Sequence, residues 1–202
     1  MNAPHRQSAC IGLRARTALA IVIVVAGTGH SLHAVTRAEI ILGTVDTPSL
    51  FQPFHNVIDL PWNQAVLAVR EAERAIKAVA ANRLESLVLD LRARDLEVRC
   101  VGVAGAPDRK LEAFGSPHIR VHAAEGILFR HVWQVAADAV GLRSMAFPEK
   151  GFEAFVAAHL QLPVEAIRER LAEFGRTLGR PWRADEKDAA MAAWAALTTI
   201  AA

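Results

Sequence analysis

The chain has 202 residues, enough for one globular domain that buries a core without help from disulfides or metal ions. Hydrophobic residues make up 52% of it and charged residues 22%, which excludes an intrinsically disordered chain. Twenty-three basic and twenty-one acidic side chains give a net charge of +2, too small to indicate nucleic-acid binding by itself. The two cysteines, Cys10 and Cys100, argue against a disulfide framework and are typical of a reducing compartment, so we expect a cytoplasmic protein.

The N-terminal segment has two interpretations. We expect residues 1–13 to be a disordered leader and residues 14–202 to form one domain. The apolar, β-branched run at 18–25 predicts a central strand that is buried on both faces. Basic residues, an apolar run and small residues in that order are also the pattern of a secretory signal peptide over residues 1–34, so a secreted or periplasmic protein is the alternative. The apolar residues 17–27 are too few to span a bilayer, and we expect no membrane span.

Further along the chain, the hydrophobic pattern predicts few strands and many helices. Strands are expected at 35–42, 97–105 and 143–147, and helices at 61–93 (two helices if Asn82-Arg83 breaks the run), 117–141, 149–160, 163–178 and 185–199. This order favours a mixed sheet with helices on its faces over a repeating Rossmann alternation. The sequence has neither a G-x-G-x-x-G turn nor a Walker lysine, so we expect no nucleotide-binding loop.

Two aspartates at the start of the last predicted helix are the strongest candidate site. Asp185 and Asp188 are three residues apart, so their carboxylates lie on one helical face. Together with a carboxylate from a neighbouring strand, they could hold Mg²⁺ or Mn²⁺ for hydrolysis. The alternative is ordinary capping, in which acids complement the positive end of the helix dipole. The alanine-rich face that follows predicts close packing against the sheet.

The helix start D-E-K-D-A-A-M-A-A-W resembles the final helix of the bacterial Holliday-junction resolvases. The helix with A-A-E-G-I-L-F and the F-P-E-K segment after it are similar in order, and the resemblance covers residues 118–197. It implies an α/β fold of the ribonuclease H-like type, with a mixed sheet of about five strands flanked by helices. It also implies that Asp185 and Asp188 are catalytic metal ligands, that the cofactor is Mg²⁺ or Mn²⁺, and that the partner is structured DNA or RNA. Whether the chain forms a homodimer is left open.

Two carboxylates of that family's site are missing from this sequence. The family carries an aspartate on its first strand within G-x-D-x-G, and with the first strand placed at 18–25 this position is Ala26 or Gly27. The glutamate that ends the family's fourth strand would fall at Ala104 or Gly105. A site with so few ligands should bind Mg²⁺ weakly. The sequence therefore leaves open a nuclease, a catalytically degenerate nucleic-acid-binding protein and a non-catalytic interaction domain.

A second candidate metal site lies at the start of the helix predicted at 117–141. His118, His122 and Glu125 are spaced i, i+4 and i+7, which places them on one helical face. Imidazole and carboxylate groups suit Zn²⁺, Mn²⁺ or Fe²⁺, and His30 could face them from the turn after the first predicted strand. The alternative is that the histidines contact neighbouring polar groups and Glu125 pairs with an arginine.

Overall fold

Five strands form one mixed sheet in the computed structural model, which describes residues 6–201 except the side chains of His30 and Ala201. The strands are β1 (Gln7–Arg16), β2 (Leu19–Ala26), β3 (His33–Ile41), β4 (Leu96–Gly105) and β5 (Arg143–Pro148). Their order across the sheet is β3-β2-β1-β4-β5. The first three strands form an antiparallel meander, while β4 runs parallel to β1 and β5 runs parallel to β4. The predicted mixed α/β sheet is therefore confirmed.

Helices cover both faces of this sheet. They are α1 (Pro48–Phe51), α2 (Trp62–Ala68), α3 (Arg70–Ala93), α4 (Pro117–Ala139), α5 (Phe152–Leu160), α6 (Val164–Leu178) and α7 (Ala184–Ala201). The long helices α3 and α4 bury their apolar faces against one side of the sheet, and α5, α6 and α7 share the core on the other side. No helix among residues 6–201 is long and apolar enough to cross a bilayer.

Helix α7 lies directly on the middle of the sheet. Gly12 of β1 has no side chain there, and a Cβ added to it would lie 1.8 Å from the carbonyl oxygen of Ala189. A Cβ added to Gly102 of β4 would lie 2.2 Å from the carbonyl oxygen of Ala192. The predicted packing of the alanine-rich face against the sheet is confirmed. This contact also fixes the start of α7 over the carboxyl end of β1.

The expected leader is wrong from Gln7 onward. Residues 7–16 form β1, the middle strand of the sheet, and they are buried from Ala9 to Ala15 because β2 and β4 pair with them on both sides. The folded region therefore starts before residue 14, and only residues 1–5 of the leader lie outside the described part of the chain. The predicted strand at 18–25 is found as β2, so it is the second strand and not the first.

In this structure the apolar run at 18–25 forms a core strand, paired with β1 on one side and β3 on the other. Removing residues 1–34 would delete β1, β2 and the start of β3. Cys10 and Cys100 are buried free thiols whose sulfur atoms lie 2.8 Å apart across β1 and β4. Burial, followed by the contact with Cys100, raises the pKa of the Cys10 thiol well above its usual value.

Candidate functional site

A buried arginine stands where three parallel strands end. Arg14, near the carboxyl end of β1, is only 3% exposed and lies opposite Ala104 of β4. Ala104 in turn lies opposite Phe147 of β5. The carboxyl edge of an open α/β sheet is where ligand sites are usually built. Arg14 therefore lies where a ligand site is expected, and its charged side chain is buried from solvent.

Three carboxylates surround the Arg14 guanidinium. One of its terminal nitrogens donates a hydrogen bond to Glu149, the residue that follows β5. Its Nε lies 3.5 Å from Oδ1 of Asp185 and 3.3 Å from Oδ2 of Asp188, both in the first turns of α7. Arg16 donates a fork of hydrogen bonds to the two oxygens of Asp185, at 3.1 Å and 2.5 Å. We call these five residues the arginine–carboxylate cluster.

The charges in this cluster largely neutralise one another, with two guanidinium groups against three carboxylates. Burial raises the pKa of Asp188 above its usual value; Arg14 and Arg16 oppose this, and Asp185 and Glu149 add to it. The carboxylate oxygens that could ligate a divalent cation thus face a cation supplied by the chain itself. This donor set does not fit a two-metal centre.

The predicted proximity of Asp185 and Asp188 is found in the structure, but their partners are different from those the resemblance implies. They pair with Arg14 and Arg16, which sequence reasoning missed because residues 1–13 were taken for a leader and no strand was expected before residue 18. Helix capping falls to Glu186, whose carboxylate accepts the backbone N–H of Arg183 at 2.8 Å. The apolar run that ends in G-L-R-A-R, at residues 12–16, was the signal that could have located the site.

The placement of the missing first-strand aspartate at Ala26 or Gly27 was wrong, because those residues end β2 and follow it. β1 ends in G-L-R-A-R at residues 12–16; if its Gly12 is set on the first glycine of G-x-D-x-G, Arg14 falls on the aspartate and Arg16 replaces the second glycine. The end of β4 lies at Ala104 and Gly105 as expected, and neither offers a carboxylate. A Cβ at Gly105 would lie 3.1 Å from the Cβ of Arg130, so a larger side chain is not readily accommodated there.

Three histidines meet near the start of α4. Ser116 caps this helix by accepting the N–H of Ile119, and the first two turns then present His118 and His122 side by side, with 3.2 Å between their Nε2 atoms. His55 joins them from a short 3₁₀ turn, and one nitrogen from each ring lies within 4.8 Å of the others. We call these three residues the histidine cluster. Desolvation, followed by the two neighbouring histidines, lowers the pKa of His122.

Glu125 lies behind the histidine cluster and contacts His55. It is 1% exposed, and its Oε1 accepts the backbone N–H of His55 at 3.2 Å while Oε2 lies 3.0 Å from Nδ1 of the same residue. The expected pairing of Glu125 with an arginine is wrong, because Arg130 pairs with Asp108 and Arg120 donates to the carbonyl of Phe114. Sequence reasoning found His118, His122 and Glu125.

His55 was missed, since its loop meets α4 only through the tertiary fold. The side chain of His30 lies outside the described atoms. Its turn follows β2 beside the start of β1, where the backbone N–H of Gly27 donates to the carbonyl of Ser8 at 3.0 Å. The histidine cluster lies instead at the start of α4, which follows the carboxyl end of β4.

The two clusters border one groove. His122 lines it from α4 and Glu149 lines it from the end of β5, and Ala106, Pro107 and Arg109 of the loop after β4 complete the lining. The histidine cluster and the arginine–carboxylate cluster have no residue in common. The carboxyl edge of the sheet therefore carries two separate polar sites.

The same arrangement of strands and helices occurs in solved structures of a resolvase. RuvC from Thermus thermophilus aligns with 96% of this chain and 96% of its own, at a TM-score of 0.51 and 15% identity. The fold is ribonuclease H-like. RuvC of the same organism in complex with Holliday junction substrate aligns over the same shares of both chains, at a TM-score of 0.51 and 14% identity.

No protein-family model and no curated protein matches the sequence. The ribonuclease H-like fold implied by the sequence resemblance is thus confirmed. What the fold does in this chain has to be argued from its own residues.

Proposed function

We propose that this protein is a ribonuclease H-like nucleic-acid-binding protein in which the arginine–carboxylate cluster replaces a two-metal nuclease centre. The observation that carries the proposal is Arg14, a buried cation near the carboxyl end of the first strand, where the resemblance to the resolvases implies an aspartate. In place of a metal-binding carboxylate, this position holds a buried cation, which pairs with the carboxylates of Glu149, Asp185 and Asp188.

A divalent cation has to overcome this charge to enter the cluster. At a separation of about 4 Å and an effective dielectric constant of about 20, a divalent ion and a guanidinium group repel each other by roughly 8 kcal/mol. The ion would also have to take Asp188 and Glu149 away from Arg14, whose buried charge would then be left unpaired. We therefore expect neither Mg²⁺ nor Mn²⁺ to bind here, and no hydrolysis through Asp185 and Asp188.

Basic side chains around this edge support nucleic-acid binding. Arg109 and Lys110 in the loop after β4, Lys150 after β5 and Arg183 before α7 are all exposed. Among residues 6–201 none of these four forms an ion pair with a carboxylate, so they are available to phosphate groups. The exposed acids in the same loop are Asp108, which pairs with Arg130, and Glu112. Phosphate contacts position a protein on nucleic acid without reading its sequence, which suits recognition of structured DNA or RNA by shape.

Binding and cleavage are tested in one experiment with a labelled four-way DNA junction and a linear duplex of equal length. We expect retardation that weakens between about 50 and 200 mM salt, and no cleavage in Mg²⁺ or Mn²⁺. Replacing Arg109, Lys110 and Lys150 together by alanine should weaken retardation at least tenfold. The matched control removes three exposed arginines outside these loops, Arg83 and Arg92 of helix α3 and Arg94 just after it.

Each failure has a distinct meaning. Metal-dependent cleavage that the Asp185→Asn/Asp188→Asn double variant abolishes would overturn the proposed degeneracy. Absence of retardation on both substrates would overturn the nucleic-acid assignment and favour a non-catalytic interaction domain. The cytoplasmic location and a homodimer stay predictions; the intact mass of the protein from its native cells and its sedimentation in solution would test them.

A further inference from the structure

We propose that His55, His118 and His122 bind a divalent transition-metal ion such as Zn²⁺, at a site separate from the arginine–carboxylate cluster. Three imidazole nitrogens are a donor set used by zinc sites that keep a fourth position open. Nucleic-acid binding through the basic loops does not require this ion, so the inference goes beyond the proposed function.

The distances between the rings suit a tetrahedral ion. Ligands about 2.05 Å from zinc in tetrahedral geometry lie roughly 3.3 Å from one another. The Nε2 atoms of His118 and His122 are 3.2 Å apart, because a spacing of four residues brings the two rings together, edge to face, on one helical face. The His55 ring contributes a nitrogen within 4.8 Å of both. A small rotation of this one side chain therefore completes a three-nitrogen site.

Glu125 provides the carboxylate that commonly stands behind a metal-bound histidine. Its Oε2 lies 3.0 Å from Nδ1 of His55, which leaves Nε2 of that ring to face a metal ion. It also accepts the backbone N–H of His55 and so fixes the turn that carries the ligand. A carboxylate that is 1% exposed is costly unless a positive group compensates it, and a cation bound by His55 would do so.

The fourth position is open to an external ligand. No other histidine, cysteine, aspartate or glutamate of the described chain joins the three rings as a ligand. His118 lines a cleft with Asp59, Trp62 and Arg120, while His122 lines the groove that contains Glu149. Water or an anion could reach an ion at this site from either side.

The test uses the full chain purified without a histidine tag and treated with chelator. We expect calorimetric titration with Zn²⁺ to show one equivalent bound, and Co²⁺ to give the visible absorption of a tetrahedral nitrogen site. The double variant His118→Ala/His122→Ala should lose both signals, and because both side chains are exposed it should keep its far-ultraviolet circular dichroism. His131→Ala, an exposed histidine on the same helix, is the matched control and should bind as the wild type does.

Two further variants separate the roles of His55 and Glu125. His55→Ala should weaken Zn²⁺ binding at least tenfold, and Glu125→Gln should weaken it by about 10- to 100-fold, the range typical of a second-shell carboxylate. Equal Zn²⁺ binding by the wild type and the double variant would overturn the site, as would the lack of a Co²⁺ spectrum in the wild type. Junction binding is measured on the same samples, so that failure of the metal site and failure of the nucleic-acid proposal are seen independently.

Discussion

The Nε atom of Arg14 lies 3.3 Å from Oδ2 of Asp188, across the interface between the first strand and the last helix. This contact joins the middle of the sheet to α7 through opposite charges. The chain thus provides its own cation for a carboxylate cluster that would otherwise need a bound one.

Removing this cation should destabilise the protein. Arg14→Met leaves Glu149, Asp185 and Asp188 facing one another without their central partner, and loss of one member of a buried ion pair typically costs about 3–5 kcal/mol. The measurement is urea unfolding followed by circular dichroism. Arg99→Met is the control, because Arg99 is an exposed partner of Glu97 and its loss should change the free energy of unfolding by less than about 1 kcal/mol. If both variants changed the free energy of unfolding equally, the arginine–carboxylate cluster would contribute no more to stability than an exposed ion pair.

The protonation of Asp188 should make the free energy of unfolding depend on pH. Its pKa in the folded protein is raised, chiefly by burial, so the protonated form is the one that folding favours. This contribution is complete below the pKa of the unfolded chain and is lost as the pH rises through the higher folded pKa. The wild type should therefore lose stability relative to Asp188→Asn as the pH rises from about 3 to 7, as measured by urea unfolding. If the wild type instead gained stability relative to Asp188→Asn as the pH rises, the pairing of Asp188 with Arg14 would outweigh the effect of burial on its pKa.

Gly12 should tolerate no side chain. Gly12→Ala would place a Cβ 1.8 Å from the carbonyl oxygen of Ala189, so α7 has to move off the sheet, at a cost of about 3 kcal/mol or more in the free energy of unfolding. Gly115→Ala is the matched control, because a Cβ there meets no atom within 4 Å. Thermal unfolding of both variants checks the prediction. A Gly12→Ala protein as stable as the control would contradict the close contact that positions Asp185 and Asp188.

Local sequence patterns were sufficient for the mixed α/β sheet and for two residues of each cluster. Asp185 with Asp188, and His118 with His122, are three or four residues apart on single helices, so the helical repeat alone places them together. The buried β-branched run and the alanine-rich helix indicated a mixed sheet covered by helices. These features depend on contacts within one element.

The other residues of each cluster are placed by contacts between distant segments of the chain. Arg14 meets Glu149 across 135 positions of the sequence, and His55 meets Glu125 across 70. The stretch from Ala9 to Leu13 is short and flanked by polar residues, and it becomes a core strand only through pairing with β2 and β4. A single sequence does not show which strands pair. For that reason the first strand was predicted at residues 18–25, which form β2, and β1 was missed.

An aspartate at position 14 should create affinity for a divalent ion. Arg14→Asp places four carboxylates at the carboxyl edge of the sheet, and their mutual repulsion should lower the melting temperature in the presence of chelator. Mg²⁺ prefers oxygen ligands and should raise that temperature again by binding the folded state. Arg16→Asp is the control, since the exposed Arg16 leaves Arg14 in place to exclude the ion. If Mg²⁺ affects the two variants equally, the residue at position 14 does not control the site.

The most direct test of the account is the effect of Mg²⁺ on the wild-type protein itself. Thermal unfolding is followed in chelator and in excess Mg²⁺, beside the Asp185→Asn/Asp188→Asn variant. Because Arg14 engages the carboxylates, we predict the same wild-type melting temperature in both buffers. A melting temperature that rises with Mg²⁺ in the wild type but not in the double variant would show that the cluster binds metal after all, and would contradict the account.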